Sequence, residues 1–462
     1  MYKTRGYTET NTAVDKQLPF WLRRALFNLR GGFLLRPLII ALTLGFAGAL
    51  LSWLEDTFPG FGNLAPVALF PSHSDPQVAQ VILSGIASSI MTVVSIVFAI
   101  LLMTLTLASM QFSPRIIVSF SKDRATQWTL GIFLGTFCYC MAALPAARSL
   151  PHPFAPVFTV FGAMLLALAC VAWLLYFIHH ISHAISVSHI VDRIASETEG
   201  SIDDVMPQPR DIRRLAENTP RELDTWDIPL LSAASGYIRF IDTRRLVTLA
   251  KFHHVKIRAV RRVGQFVPAG TPLALIYKAN RLSPDGTSEI LGAFDLGPSR
   301  TLQQDVEFGV LQIVDIALKA ISPAVNDPTT AINCIDQLSR ILIRVASREL
   351  PASVLYDPPG IPRVMIPWIG LDGLLKSAFQ QIRLYSKSDV AVSLRMLRAL
   401  SDIAWTNQEP EFRRALYEEG RRIVDGCAEK LGKEELSPMH ARLSALEKLV
   451  LVPSSVADVE TA

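Results

Sequence analysis

Charge is missing from residues 76–114, thirty-nine consecutive positions between Asp75 and Arg115. A stretch well beyond the roughly 20 apolar residues that cross a bilayer excludes a solvated surface helix. Asp, Glu, Lys and Arg are also missing from the centres of three further apolar runs, at 34–54, 124–148 and 156–180. Ion-coupled pumps keep ionisable groups at that depth, so a proton relay is not expected. Cysteine is scarce: Cys138, Cys140, Cys170, Cys334 and Cys427 share no repeated spacing, which excludes a disulfide framework or a zinc-finger pattern. Reduced, mostly buried thiols in a reducing compartment fit better. The polar N-terminus has no signal-peptide pattern, so the first span is expected to act as an uncleaved insertion signal. No phosphate-binding Gly-x-x-x-x-Gly-Lys-Ser/Thr loop, Gly-x-Ser-x-Gly elbow or His-Glu-x-x-His motif occurs, and the carboxylates form no conspicuous pair.

What is present is a membrane protein. The 462 residues are half hydrophobic, with nearly all long apolar runs before Ser182 and ordinary soluble character after it. Four spans are expected within 34–181. Basic residues assign the sides: the N-terminal arm, 1–33, carries Lys16, Arg23, Arg24 and Arg30, while the first loop has Glu55, Asp56 and Asp75 but no Lys or Arg. By the positive-inside rule both termini are cytoplasmic, in a bacterial inner membrane. A net charge of +4 is too small to imply nucleic-acid binding.

The second span carries a row of hydroxyls. At about 100° per residue, Ser84, Ser88, Thr92, Ser95, Thr106 and Ser109 fall within about a third of the helix circumference. Ser89 and Thr104 fall off the row. Small hydroxyl residues let membrane helices pack closely, and they also suit an aqueous path. Both readings hold together if the helices surround an oligomeric axis.

The fourth span ends in Trp173, Tyr176 and Phe177 and then His179, His180 and His183, an aromatic and histidine cluster suited to the interface. His179 and His183 share a helical face, but two imidazoles without a near carboxylate make a poor metal site, and no metal or cofactor is expected. Residues 182–235 read as a helical stalk through Asp192, Arg193 and Glu197, followed by a proline-broken linker.

Residues 236–298 alternate as strands at 236–241, 255–260 and 272–277, around a helix that Asp242 can cap. The turn Gly264-Gln265-Phe266-Val267-Pro268-Ala269-Gly270 is similar to the barrel half of biotinyl and lipoyl carrier domains. The lysine those domains modify is missing, which excludes a carrier role. The module, a small β barrel or sandwich, is basic: from Arg239 to Arg262 there are eight Lys or Arg against one acid, Asp242. Arg244, Arg245, Lys256, Arg258 and Arg262 could form a solvated face, contact anionic lipid headgroups, or ring the mouth of a pore and draw in anions.

Residues 299–452 read as helical, and 453–462 as a disordered tail. Ser322-Pro323-Ala324-Val325-Asn326-Asp327-Pro328 interrupts two helices; Asp327 can cap the second, with Pro328 at its first position. Asn326 and Asp327 could also offer oxygen to a cation or polar ligand. Further helices are expected at 372–385, 389–405, 411–431 and 438–451.

Three segments resemble a bacterial family of predicted four-span inner-membrane proteins, domain of unknown function family 2254. They are Ala108-Ser109-Met110-Gln111-Phe112-Ser113-Pro114-Arg115, Phe177-Ile178-His179-His180-Ile181 and Ala320-Ile321-Ser322-Pro323-Ala324-Val325-Asn326-Asp327-Pro328. The first departs from the family in carrying Met110 where Gln is expected. The resemblance, over about residues 20–450, implies four helices and a cytoplasmic domain but carries no activity. The expected protein is thus mainly α, with a cytoplasmic α+β domain, as a homo-oligomer in the lipid bilayer. A channel-like conduit is the leading function. A membrane-anchored sensor or scaffold is the alternative, and an enzyme on lipid-linked substrates a minor third.

Overall fold

The computed structural model describes residues 35–58, 75–111, 124–148, 154–184, 186–208, 228–357, 360–407 and 409–451. The N-terminal arm, most of the linker and the tail expected from the sequence lie outside these residues. The chain divides into two compact units, 1–186 and 187–462.

Among the described residues the first unit holds four α-helices: α1 (Leu35–Thr57), α2 (Pro76–Gln111), α3 (Arg124–Ala143) and α4 (Val157–Ala184). Pro145 ends the third span, inside a short 3₁₀ turn, Leu144–Ala146, because it cannot donate to a continuing helix. Half of the α3 span is buried, against about a fifth of each other span, so α3 is the central helix. Its contact with α1 is made by small residues. A Cβ on Gly48 would meet the Tyr139 carbonyl at 2.6 Å, and one on Gly135 would meet Leu44 at 2.5 Å. Close backbone approach of this kind supplies the dispersion contact that holds helices together in lipid, where burial alone drives little.

Among the described residues of this unit one carboxylate is buried. Glu55, at the end of α1, accepts the Phe158 and Thr159 amides at 2.8 and 3.1 Å and the Thr159 hydroxyl at 3.0 Å. It thereby caps the first turn of α4 from another helix, where free amides and the helix dipole favour a negative group. Beside it Arg148 donates to both Asp56 oxygens at 3.0 Å.

The second unit begins with α5 (Val187–Val205), then β1 (Ile228–Leu231), β2 (Gly236–Ile241), α6 (Thr243–Phe252), β3 (Lys256–Ala259), β4 (Phe266–Val267), β5 (Pro272–Tyr277), α7 (Pro284–Leu291) and β6 (Phe294–Gly297). After these come α8 (Val306–Ala320), α9 (Pro328–Ala346), β7 (Val354–Asp357), β8 (Ile361–Met365), α10 (Leu371–Tyr385), α11 (Val390–Thr406), α12 (Pro410–Ala428) and α13 (Lys433–Leu451). Strands form a five-stranded sheet, β1-β5-β3-β8-β7, and a three-stranded sheet, β4-β2-β6. Residues of both share one apolar core, including Ile238, Ile241, Ile257, Leu273, Ile276, Phe294 and Val364.

The module therefore reaches beyond 236–298. It recruits β1 upstream and, from the turn-rich segment 350–367 within the mainly helical region expected at 299–452, the β7–β8 hairpin; β3 pairs in parallel with β8 through Ile257 and Val364. The expected stalk is also revised. Helix α5 buries Ile190, Val191, Ile194, Ala195, Thr198, Ser201 and Ile202, so it is a core helix of the second unit. Arg340 of α9 ties it down by donating to Asp192 at 2.8 Å and Glu199 at 2.6 Å. The last helix starts at Lys433 and holds Pro438 in its interior, where the chain gives up one backbone bond; the sequence placed its start at that proline.

Candidate functional site

Helix α2 packs with Leu83, Ala87, Ile90, Val94 and Val97, all buried. At about 100° per residue the hydroxyl row lies roughly a third of a turn from that face. Ser84, Ser88, Thr92, Ser95 and Thr106 are accordingly exposed on the outside of the four-helix unit, whereas the off-row Thr104 is buried. Ser109 lies in α2, but its side chain is outside the described set. Among the described residues the row thus lies away from the buried face of α2.

Each of four hydroxyls is partly satisfied by its own helix: Ser84 donates to the Val81 carbonyl at 3.2 Å, Thr92 to Ser88 at 3.0 Å, Ser95 to Met91 at 3.0 Å and Thr106 to Leu102 at 2.8 Å. Such back-bonding uses the proton and leaves the oxygen lone pairs outward. Beside the row, between α2 and α3, lies a groove of about 460 Å³ bordered by Ser84, Ser88, Thr92, Ser95, Cys140 and Met141. From Ser84 to Thr106 the row rises about 33 Å, close to the thickness of a hydrocarbon core. The outer faces of α1 and α4 differ: Leu42, Phe46, Leu168 and Leu175 point outward there.

At the end of α4, Trp173 donates to the Thr129 hydroxyl at 2.9 Å and packs against Tyr176, on which His180 stacks with centroids 6.1 Å apart. His179 is exposed, and the His183 side chain is outside the described set. Among the described residues no group of three or more His, Cys, Asp or Glu could hold a metal ion.

The five basic candidates are not equivalent. Arg244 and Arg245 sit exposed in the first turn of α6, which Asp242 caps through the Arg245 amide at 3.0 Å. Lys256 and Arg258 alternate with buried Ile257 and Ala259 on β3, with Lys256 5.2 Å from the Tyr277 ring centre. Arg262 is withdrawn from the expected mouth, because both its terminal nitrogens donate to Glu307 at 3.0 Å. Arg300 joins this network, donating to Asp305 at 2.7 and 2.8 Å and to Glu307 at 3.0 Å. Burial pushes the Glu307 carboxyl up, but hydrogen bonds and charge from Arg262 and Arg300 outweigh it and hold it below the usual range. Gly264, at φ 86°, lets the chain pass this network; a Cβ there would sit 2.2 Å from the Asp305 carboxylate.

The Asn-Asp-Pro corner separates into two roles. Asp327 caps α9, accepting the Thr330 amide at 3.0 Å and its hydroxyl at 2.5 Å. Those bonds lower its carboxyl below the usual range and engage both oxygens in the cap. Asn326, held at φ 50° in the left-handed region that asparagine tolerates, instead lines a groove of about 370 Å³. Its other walls, Tyr385, Ser386, Ser388 and Asp389, come from the α10–α11 corner, which sequence reasoning did not single out. Ser388-Asp389 before an apolar run was the available signal, an N-cap signature. Burial raises the Cys334 thiol, so this cysteine on α9 is an inert packing group.

Four helices among the described residues are long and apolar enough to cross a membrane, followed by a mixed α/β unit, which makes this a multi-span membrane protein. The family model described as predicted membrane protein, domain of unknown function 2254, matches residues 30–402, and the chain belongs to that family. It is 31% identical over 402 residues to the uncharacterized protein Mb1321c of Mycobacterium bovis and, equally, to the uncharacterized protein Rv1290c of Mycobacterium tuberculosis. Each match covers 83% of this chain and 77% of the relative. No solved structure matches the chain.

Proposed function

We propose that the chain assembles as a homo-oligomer in the bacterial inner membrane and forms a channel-like conduit whose wall is the hydroxyl face of α2. One observation carries this reading: the row from Ser84 to Thr106 is turned outward from its own bundle while the outer faces of α1 and α4 are plainly apolar. In a closed ring of subunits an outward face of one subunit becomes the inner face of the assembly. Both termini are cytoplasmic in this reading, and Arg244, Arg245, Lys256 and Arg258 give the cytoplasmic unit a basic surface for anions or anionic headgroups.

The test is cysteine accessibility. Cysteines placed at 84, 88, 92 and 95, after the native thiols are removed, react with a membrane-impermeant thiol reagent, while cysteines at Leu168 and Leu175 do not. Ser88→Leu reduces conductance in planar bilayers. Protection of all four row positions, together with silent bilayers, refutes the conduit. A second reading, a membrane-anchored sensor, is favoured by the polar groove between the α8–α9 and α10–α11 corners.

A further inference from the structure

Helices α9 and α11 run side by side in one direction. Arg395 of α11 bonds Asp336 of α9, and beyond the opposite ends Asn407 donates to the Ala346 carbonyl at 3.5 Å. Their first turns therefore open together on the groove bordered by Asn326, Pro328, Tyr385, Ser386, Ser388 and Asp389. Paired helix starts alone say little, since each already carries a capping aspartate. What marks the groove is Ser386. It is 2% exposed, it borders the groove, and its hydroxyl has no hydrogen-bond partner. A buried hydroxyl without a partner costs free energy, and this one belongs to a residue in the wall of the groove.

The side chains that border the groove define the chemistry. Asn326, Tyr385, Ser386, Ser388 and Asp389 all offer oxygen, and among the described residues that line the groove there is no Lys, Arg or His. Asp389 gives one oxygen to the Val392 amide at 3.0 Å, which leaves the second for a ligand. The Tyr385 ring, 72% exposed, stands at the rim. A volume of about 370 Å³ is far larger than a bare metal ion or one water, whose share of liquid is about 30 Å³. Oxygen acceptors, one carboxylate and an aromatic face together complement an organic ammonium group.

We propose that this groove binds a small ammonium-bearing molecule, with Asp389 as its charge partner, Ser386 and Asn326 as hydrogen-bond partners and Tyr385 over its face. The inference does not depend on the conduit.

The experiment titrates the full-length protein in detergent with putrescine, with the uncharged diol of the same chain length and with calcium chloride, at matched ionic strength. Putrescine binds saturably and the diol and calcium do not. Asp389→Asn keeps a helix cap of equal quality while removing the charge, and weakens putrescine about tenfold or more. Ser386→Ala weakens it about threefold to tenfold, yet leaves the unliganded protein as stable as before or more so, because the unpartnered hydroxyl is gone. Equal binding of the diol or of calcium overturns the ammonium assignment. No saturable binding of putrescine, or binding untouched by Asp389→Asn, overturns the site. A Ser386→Ala protein that loses stability without ligand shows the hydroxyl to be structural, and the proposal falls with it.

Discussion

Replacing Glu307 by glutamine removes the charge that Arg262 and Arg300 share, and the structure sets what that should cost. The Glu307 side chain is 13% exposed, Arg300 14% and Arg262 22%, so solvent repays little of the lost interaction. Taking one partner from a buried ion pair costs about 3–5 kcal/mol, and the lower end applies because Arg300 keeps Asp305. For a unit of this size about 3 kcal/mol moves the melting temperature by roughly 6–12 °C. The assay is thermal unfolding of the purified protein followed by tryptophan emission, with wild type and Glu307→Gln side by side. The pH dependence gives a second check. The folded carboxyl titrates below its unfolded counterpart, so its contribution is complete above the ordinary glutamate value of about 4.3 and fades as pH falls through the lower folded value. The gap between wild type and variant should therefore be constant from neutral pH to about 5 and narrow below about 4. A gap under about 1 °C at neutral pH, or one that persists unchanged in acid, would refute the claim that this network is held by charge.

Two other perturbations follow from close contacts. A Cβ on Gly309 would sit 1.9 Å from the Thr198 hydroxyl, between α8 and α5, so Gly309→Ala should cost about 1–3 kcal/mol, and Thr198→Ala in the same chain should recover part of it; equal melting of single and double variants would contradict the contact. Glu55→Ala strands two amides at the start of α4 and should lower the stability of the detergent-solubilised protein by about 1–3 kcal/mol, whereas Asp56→Ala, which loses only an exposed pair with Arg148, should change it by less than about 1 kcal/mol; similar losses for both would show that Glu55 is not acting as a cap.

Local chemistry made much of this fold legible. Asp242, Asp305, Asp327 and Asp389 each cap the helix that follows, and a cap is a contact between a residue and an amide three positions on, so sequence carries both partners together. The strand at 272–277 and the turn through Gly264 and Gly270, with φ of 86° and 77°, were visible for the same reason. The β7–β8 hairpin was not, because its place depends on Ile257 meeting Val364 across more than a hundred residues, and its own turn-rich sequence offers no sign of that partner. The groove was half legible: Asn326 stands in a conspicuous motif, but Ser386 and Asp389 acquire meaning only when α11 comes to lie along α9.

The direction of the α2 hydroxyls escaped the sequence for a different reason. In a soluble helix the polar face is the outer face, because water rewards it; in lipid both faces are apolar and periodicity finds a stripe without saying which way it points. Orientation is set instead by which side chains fit the neighbouring helix. On α2 these are Leu83, Ala87, Ile90, Val94 and Val97, packed against α3 and α4. Thr104, a hydroxyl that does fall on this side, is buried and bonds the Ile100 carbonyl at 2.7 Å, so hydroxyls are compatible with the packed face. Packing alone would therefore not have expelled Ser84, Ser88, Thr92 and Ser95 to the outside. In the ring of subunits proposed above, facing α2 helices would give those oxygens either one another or water.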